Sequence, residues 1–309
     1  MIVTVTLNPA VDISYPLDQL KIDAGNRVSE VSKTAGGKGL NVARVVGLLG
    51  GDVAASGFIG GSLGDFIRSE IREQGIADRF VGIAGETRNC IAILHEGNQT
   101  EILEAGPEIS SSERDDFLAK FDEFLDEASV VTLNGSLPAG LDGDFYGELI
   151  KRAKSAGKPV FLDTGGSVTK EILSGEAKPF LIKPNESEFA ELVGVSSLSK
   201  AEIVKELDGS IFDGVQWVVV SLGKDGALVK CGEDLYEASI PDIEAVNPVG
   251  SGDSVIAGLA LALERGYSTE RMISYGLTMG VLNALEEKTG YIQVDRVDEI
   301  QREVIIRKI

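Results

Sequence analysis

The chain has 309 residues, 43% of them apolar and 25% charged, a composition that predicts a soluble globular protein long enough for a large core. Its formal charge of −20 gives a surface field that repels nucleic acid and anionic membrane, so an anionic ligand needs a locally basic pocket. Two cysteines, Cys90 and Cys231, and the single His95 have no metal-type spacing, and both thiols read as packing residues.

Met1 to Leu7 reads as a buried strand, with neither a basic leader nor a bilayer-length apolar run in the chain, which predicts a cytoplasmic protein. Asn8-Pro9-Ala10-Val11-Asp12 then places a carboxylate where the chain leaves the body. A carboxylate accepts from two neighbouring hydroxyls, which is how sugars are gripped, although an Asp that caps a turn fits these residues equally well. Residues 11–33 alternate apolar and polar positions, and residues 87–103 do the same around the turn His95-Glu96-Gly97-Asn98. Both predict hairpins of a small β-sheet that serves as a lid, a dimer surface or both. The expected division is a body of residues 1–10, 34–86 and 104–309, with a β lid of residues 11–33 and 87–103.

Ala35-Gly36-Gly37-Lys38-Gly39-Leu40-Asn41 is a glycine-rich turn opening a helical pattern over Leu40 to Leu49, and a second helix is expected over Leu63 to Gln74. The turn is not a nucleotide P-loop, because Ser32 stands where that pattern needs Gly and Gly39 follows the lysine in place of Ser or Thr. It offers close backbone approach, one ammonium and one amide, which suit a hydroxyl-rich phosphorylated ligand; a helix start with a surface lysine is the competing reading. Arg27, Lys38 and Arg88 are the basic residues set in glycine-rich or β-like segments. Arg88, in a predicted strand, would give a planar fork for a phosphoryl group or be an exposed strand arginine.

Beyond residue 128, apolar runs at Ser129 to Leu133, Pro159 to Leu162, Pro179 to Ile182 and Trp217 to Val220 alternate with amphipathic segments. That pattern predicts a parallel sheet covered on both faces, with ligands beyond the carboxyl ends of its strands. Those ends carry Asn134-Gly135-Ser136, Asp163-Thr164-Gly165-Gly166, Lys183-Pro184-Asn185-Glu186-Ser187-Glu188 and Ser221-Leu222-Gly223-Lys224-Asp225-Gly226. Asn185 and Glu188 fit a helix capping box; they also fit a role beside magnesium-bound water and nucleotide phosphates. Asn247-Pro248-Val249-Gly250-Ser251-Gly252-Asp253, followed by the apolar run Val255 to Leu263, sets unpaired amides and one carboxylate at a helix start. Such a start favours a phosphate and puts a base beside it, although Asp is also common in ordinary first turns.

In order, Asn8 to Asp12, Gly36 to Asn41, Lys183 to Glu188 and Asn247 to Asp253 resemble the signature series of the ribokinase-like, pfkB-type carbohydrate kinases over nearly the whole chain. Gly85 to Gly97, Gln99 to Glu104 and Gly135-Ser136-Leu137-Pro138 are most similar to the tagatose-6-phosphate kinase branch, with departures at Asn134 and at Asp163 to Gly166. The resemblance implies a three-layer α/β sandwich with a mostly parallel sheet and a projecting β lid. It implies transfer from ATP, with Mg2+, to C1 of D-tagatose 6-phosphate, giving D-tagatose 1,6-bisphosphate and ADP in lactose and galactose catabolism. It assigns Asp253 as base and Gly250, Ser251 and Gly252 as anion hole. Asp12, Gly37 and Asn41 would hold sugar hydroxyls, and Lys38, Arg88 and Arg27 the 6-phosphate. Asn185 and Glu188 would organise magnesium through water, with Lys183, Ser221, Gly223 and Gly226 along the nucleotide and Asn283 near the adenine. A homodimer through the lid is expected. The alternatives are a fructose phosphate kinase, of the 1-phosphofructokinase or minor 6-phosphofructokinase type, and a non-catalytic sugar-phosphate or nucleotide sensor.

Overall fold

All five residues of β1 (Ile2–Thr6) are buried, as expected of a strand covered on both faces. It is followed by β2 (Ala10–Leu17), β3 (Ser32–Gly36), α1 (Lys38–Leu48), β4 (Val53–Ile59) and α2 (Gly61–Glu73). Two short strands, β5 (Ala77–Asp78) and β6 (Val81–Gly82), precede β7 (Arg88–His95) and β8 (Asn98–Leu103). Alternation then sets in with α3 (Ser111–Leu125), β9 (Val130–Asn134), α4 (Gly143–Ser155), β10 (Val160–Asp163), α5 (Gly166–Ser174) and β11 (Leu181–Ile182). Next come α6 (Glu186–Val193), α7 (Lys200–Glu206), β12 (Trp217–Ser221), β13 (Ala227–Cys231) and β14 (Asp234–Ser239). The chain closes with α8 (Ser251–Glu264), α9 (Thr269–Ala284), α10 (Val297–Glu303) and β15 (Ile305–Lys308). These elements come from a computed structural model that describes residues 1–309.

The strands form an 11-stranded sheet ordered β15-β14-β13-β12-β11-β10-β9-β1-β4-β5, with β6 also on β4, and a separate four-stranded sheet ordered β3-β2-β7-β8. From β12 to β4 and its short neighbours every pairing in the large sheet is parallel; β13, β14 and β15 extend it antiparallel. Alternate residues of one strand feed opposite cores. Ile2 joins the side chains of α1, α8 and α9 on one face, while Val3 and Val5 join those of α3, α4 and α6 on the other. The result is a three-layer α/β sandwich, as expected of helices packed on both faces of a parallel sheet. No helix is long and apolar enough to cross a membrane.

The small sheet contains the expected pair of antiparallel strand pairs, β2 with β3 and β7 with β8 around the turn His95 to Asn98. Its central strands β2 and β7 pair in parallel, and each has an antiparallel partner at its outer edge. The segment Asn26 to Val31 is loop despite its alternation. The Asn26 side chain bonds back to the Lys21 backbone and the Ala24 carbonyl, closing a local turn instead of leaving the backbone to a neighbouring strand. The strand that returns to the body, β3, extends to Gly36 and enters α1 directly, so the expected boundary at residue 34 falls inside a strand.

Candidate active site

The carboxyl ends of the parallel strands lie along one edge of the large sheet. Thr6 is in register with Asn134, and Asn134 with Asp163; Asn185 beyond β11 bridges to Ser221 at the end of β12. Two helix starts face this edge. Both α1 and α8 have glycine N-caps, Gly37 and Gly250, at positive φ of 112° and 81°. This geometry costs glycine little and other residues more, and it turns the first amides of each helix outward. A β-carbon on Gly250 would overlap Thr289, and one on Gly252 would lie 2.9 Å from Lys183 Nζ. The Gly252 and Asp253 amides have no backbone partner, which leaves a glycine-lined cradle with an ammonium beside it.

Between the sheet edge and the small sheet lies a cavity of about 700 Å³. Asp12, Gly37, Lys38, Asn41, Lys183, Asn185, Glu188, Ser221, Gly250, Gly252 and Asp253 all line it, so residues from distant parts of the chain share one cleft. β7 and β8 contribute Cys90, Ile91, Gln99 and Glu101 to its opposite wall. Cys90, expected to be a packing residue, is therefore partly exposed to the cleft.

Asp253 is 6% exposed, and its Oδ2 accepts from Asn41 Nδ2 at 2.8 Å. Burial, reinforced by the nearby Asp163 carboxylate, pushes its carboxyl up to about 7, against the opposing pull of Lys38, the Asn41 bond and Lys183. A buried carboxyl poised near neutral pH is the property required of a general base. Asp163 is fully enclosed and lies 3.2 Å from Lys38 Nζ and 3.6 Å from Lys183 Nζ. Desolvation pushes its carboxyl up, but the two ammonium groups outweigh it and hold Asp163 below the usual carboxylate range. Lys38, despite desolvation, is raised to about 12 by Asp163, Asp253 and Glu188. Asp12 is raised to about 6 by burial, with Arg44 and Arg88 opposing.

Several expected site residues stand elsewhere. Arg88 does not line the cavity: its Nε and Nη2 donate to the Asn8 carbonyl at 3.2 and 3.0 Å, and its Nη1 to the Glu104 carbonyl at 2.8 Å. Arg27 is exposed on the loop between β2 and β3, outside the cleft. Gly223 and Gly226 belong to the turn between β12 and β13 and lie off the cavity wall. Asn283 is fully buried, so it meets no adenine. Its Nδ2 donates to the Val249 carbonyl and Ser251 Oγ, and its Oδ1 accepts from the Gly290 amide and Ser254 Oγ, which fixes the glycine turn from behind. Ser251 thus serves this inner network and does not line the cavity. Asn185 and Glu188 make both bonds of a capping box. Asn185 Oδ1 is occupied by the Glu188 amide and Ser187 Oγ, so only its Nδ2, a donor unsuited to a metal, remains free.

Sequence reasoning assigned no role to Asp163, although its place at a strand end was visible. The segment Glu287-Lys288-Thr289 also lines the cleft, pinned by Asn247 Nδ2 to the Glu287 carbonyl at 3.0 Å. No turn or charge pattern in that segment marked it beforehand.

A family model described as pfkB family carbohydrate kinase matches residues 5–295. The chain belongs to this family. It is a carbohydrate kinase, a phosphotransferase with an alcohol group as acceptor. Among solved structures, the pfkB chain is similar to a Staphylococcus aureus protein assigned as a phosphofructokinase, at 31% identity over 100% of this chain and 99% of that one, with a TM-score of 0.86. It is also similar to Escherichia coli phosphofructokinase-2 in complex with fructose-6-phosphate, at 26% identity, 97% and 98% coverage and a TM-score of 0.86. A third is a Thermotoga maritima protein assigned as a 1-phosphofructokinase, at 25% identity, 100% and 99% coverage and a TM-score of 0.90.

Proposed function

We propose that this kinase transfers the γ-phosphoryl group of ATP to C1 of D-tagatose 6-phosphate, giving D-tagatose 1,6-bisphosphate and ADP. The observation that carries phosphoryl transfer to an alcohol is Asp253: a buried carboxyl raised to about 7, beside unpaired helix-start amides, in one cavity with Asp12 and Lys38; the tagatose acceptor rests on the resemblance of Gly85 to Gly97, Gln99 to Glu104 and Gly135 to Pro138. Asp253 takes the proton of the attacking hydroxyl, while the Gly252 and Asp253 amides and the α8 dipole stabilise charge on the transferred group. Asp12 accepts from sugar hydroxyls, and Lys38 meets the phosphate of the sugar. Lys183, next to the Gly252 cradle, faces the nucleotide phosphates. The small sheet excludes water from the cleft.

The donor set fits magnesium, which keeps most of its water and takes few protein carboxylates. Glu188 Oε2 is used by the Asn185 amide, and Oε1 has no partner, whereas nowhere do three acidic, His or Cys side chains cluster. Glu188 is thus the residue to hold magnesium-bound water, and the ion supplies charge neutralisation on the phosphate oxygens. A non-catalytic sensor would have no use for Asp253 in this position. Ile102 of β8, 53% exposed, supports a homodimer through the small sheet, which sedimentation would test.

A second reading, a fructose phosphate as acceptor, is favoured by the relatives described above. The two sugars differ in one hydroxyl orientation, and a pocket separates such epimers only through hydrogen bonds. ADP release with tagatose 6-phosphate, fructose 6-phosphate, fructose 1-phosphate and ribose decides between them. Turnover with tagatose 6-phosphate at the highest kcat/KM is expected; preference for either fructose phosphate selects the second reading, and no turnover with any ketohexose phosphate rejects both.

A further inference from the structure

Arg44 is buried in the middle of α1, flanked by the fully buried Val42, Ala43, Val45 and Val46. A charge in such a place is kept where hydrogen bonds or opposite charges hold it. We infer that Arg44 is a positioning residue, whose guanidinium fixes the Asn41 side-chain amide so that Asn41 presents Nδ2 to Asp253. The inference deepens the proposed reaction and rests on Asp253 being its base.

Arg44 Nη1 donates to Asn41 Oδ1 at 3.0 Å, and Asn41 Nδ2 donates to Asp253 Oδ2 at 2.8 Å. A guanidinium has donors and no acceptor, so the atom that Asn41 turns toward it must be oxygen. The flipped amide would set NH2 against guanidinium and carbonyl against carboxylate, two repulsive contacts in place of two bonds. Arg44 itself is held on all sides. Nη2 donates to the Ala35 carbonyl at 2.6 Å, Nε to Gln74 Oε1 at 3.2 Å and Nη1 to the Thr289 carbonyl at 3.3 Å, with the Tyr291 ring 5.1 Å from the guanidinium.

With Oδ2 engaged, Asp253 offers Oδ1 to the acceptor hydroxyl. The charged groups acting on Asp253 are Asp163 at the end of β10, Lys38 on α1 and Lys183 beyond β11. Those acting on Arg44 are Tyr291 after α9, Asp12 on β2 and Glu70 on α2, while desolvation lowers its own proton affinity. Arg44 therefore reaches Asp253 through the amide of Asn41. A flipped or mobile amide removes a bond to the charged form of Asp253 and makes the base harder to ionise.

The test compares full-length Arg44→Met, Arg44→Gln, Arg44→Lys, Asn41→Leu and the Arg44→Met/Asn41→Leu pair, by pH–rate profiles of kcat with magnesium-ATP and the best ketohexose phosphate. Arg44→Met should move the acidic limb up by about one pH unit and lower kcat at pH 7 by about fivefold, leaving KM for ATP within about twofold. Arg44→Lys, still a pure donor, should restore the limb. In the Asn41→Leu background, Arg44→Met should cause no further shift, because the coupled partner is gone. Arg44→Gln preserves a hydrogen-bonding side chain for folding yet offers both donor and acceptor, and should shift the limb in the same direction if Arg44→Met does not fold. An unmoved limb in the folded variants, or an equal shift without Asn41, overturns the inference. Asp253→Asn, run alongside, separates the two failures: if it stays active the base assignment falls, and if it is inactive while the limb stays fixed only the role of Arg44 falls.

Discussion

Asp253→Asn should weaken catalysis and strengthen the fold, and the second effect should depend on pH in a defined direction. The carboxyl rises from its ordinary value of 3.8 to about 7 in the folded protein. Below pH 4 it is protonated in both folded and unfolded chains, so burial carries no ionisation penalty. Between those values the folded chain holds a proton that the unfolded chain has released, and stability falls as pH rises. Above pH 7 the carboxylate is charged in both states and the penalty is complete. A displacement of three units corresponds to at most about 4 kcal/mol. Asparagine has no such penalty. Urea denaturation at pH 5 and pH 8 should therefore show the variant gaining on the parent protein by about 1–4 kcal/mol between the two conditions. Over the same range kcat should be lower by about 10³-fold, the middle of the range that a positioned base contributes. A stability difference that stays flat, or turns against the variant as pH rises, would falsify the assignment of a raised carboxyl at Asp253. Near-parental kcat would remove it as the base.

Asp12 gives a second pH signature. Its carboxyl is raised to about 6, so the charged form that grips hydroxyls is lost as pH falls through 6. KM for the sugar should climb below pH 6 while KM for ATP does not; Asp12→Asn should raise the sugar KM at pH 8 by about 10–100-fold and abolish this dependence. A sugar KM independent of pH in the parent protein would remove Asp12 from the sugar site. Arg88→Ala loses the bonds to the Asn8 and Glu104 carbonyls. It should cost about 1–3 kcal/mol of stability and change KM by the same factor for phosphorylated and unphosphorylated sugars, as compared in steady-state assays. A loss confined to phosphorylated sugars would show that Arg88 turns toward the phosphate.

Much of the body could be read in advance because its strands are buried on both faces, and largely apolar runs such as Ser129 to Leu133 and Trp217 to Val220, which became β9 and β12, have few other folds open to them. The glycine turns at Gly37 and Gly250 were equally legible, since their sequence reports a backbone demand directly. Side-chain direction was not. Arg88 occupies the strand expected of it, yet its guanidinium is spent on two carbonyls of neighbouring segments, a choice made by tertiary contacts that spacing does not encode. Asn283 fails in the same way, because its four hydrogen-bond partners become neighbours only when α9 packs on α8. Arg44 did carry a signal. A lone arginine within Val42-Ala43-Arg44-Val45-Val46, on a helix that the pattern buries, has to answer to something inside the protein. The small sheet was visible as alternation, but its parallel pairing of β2 with β7 joins segments about seventy residues apart, and no local rule specifies that.

The join between β3 and α1 has a mechanical consequence. Gly36 lies so close to Asp12 that a β-carbon there would overlap the carboxylate, and the next residue, Gly37, already caps the helix bearing Lys38 and Asn41. No slack separates the wall that holds the acceptor from the helix that steadies the base. A sugar of the wrong shape, by displacing one, must drag the other out of line. Discrimination between epimers then belongs in the speed of turnover more than in the tightness of grip.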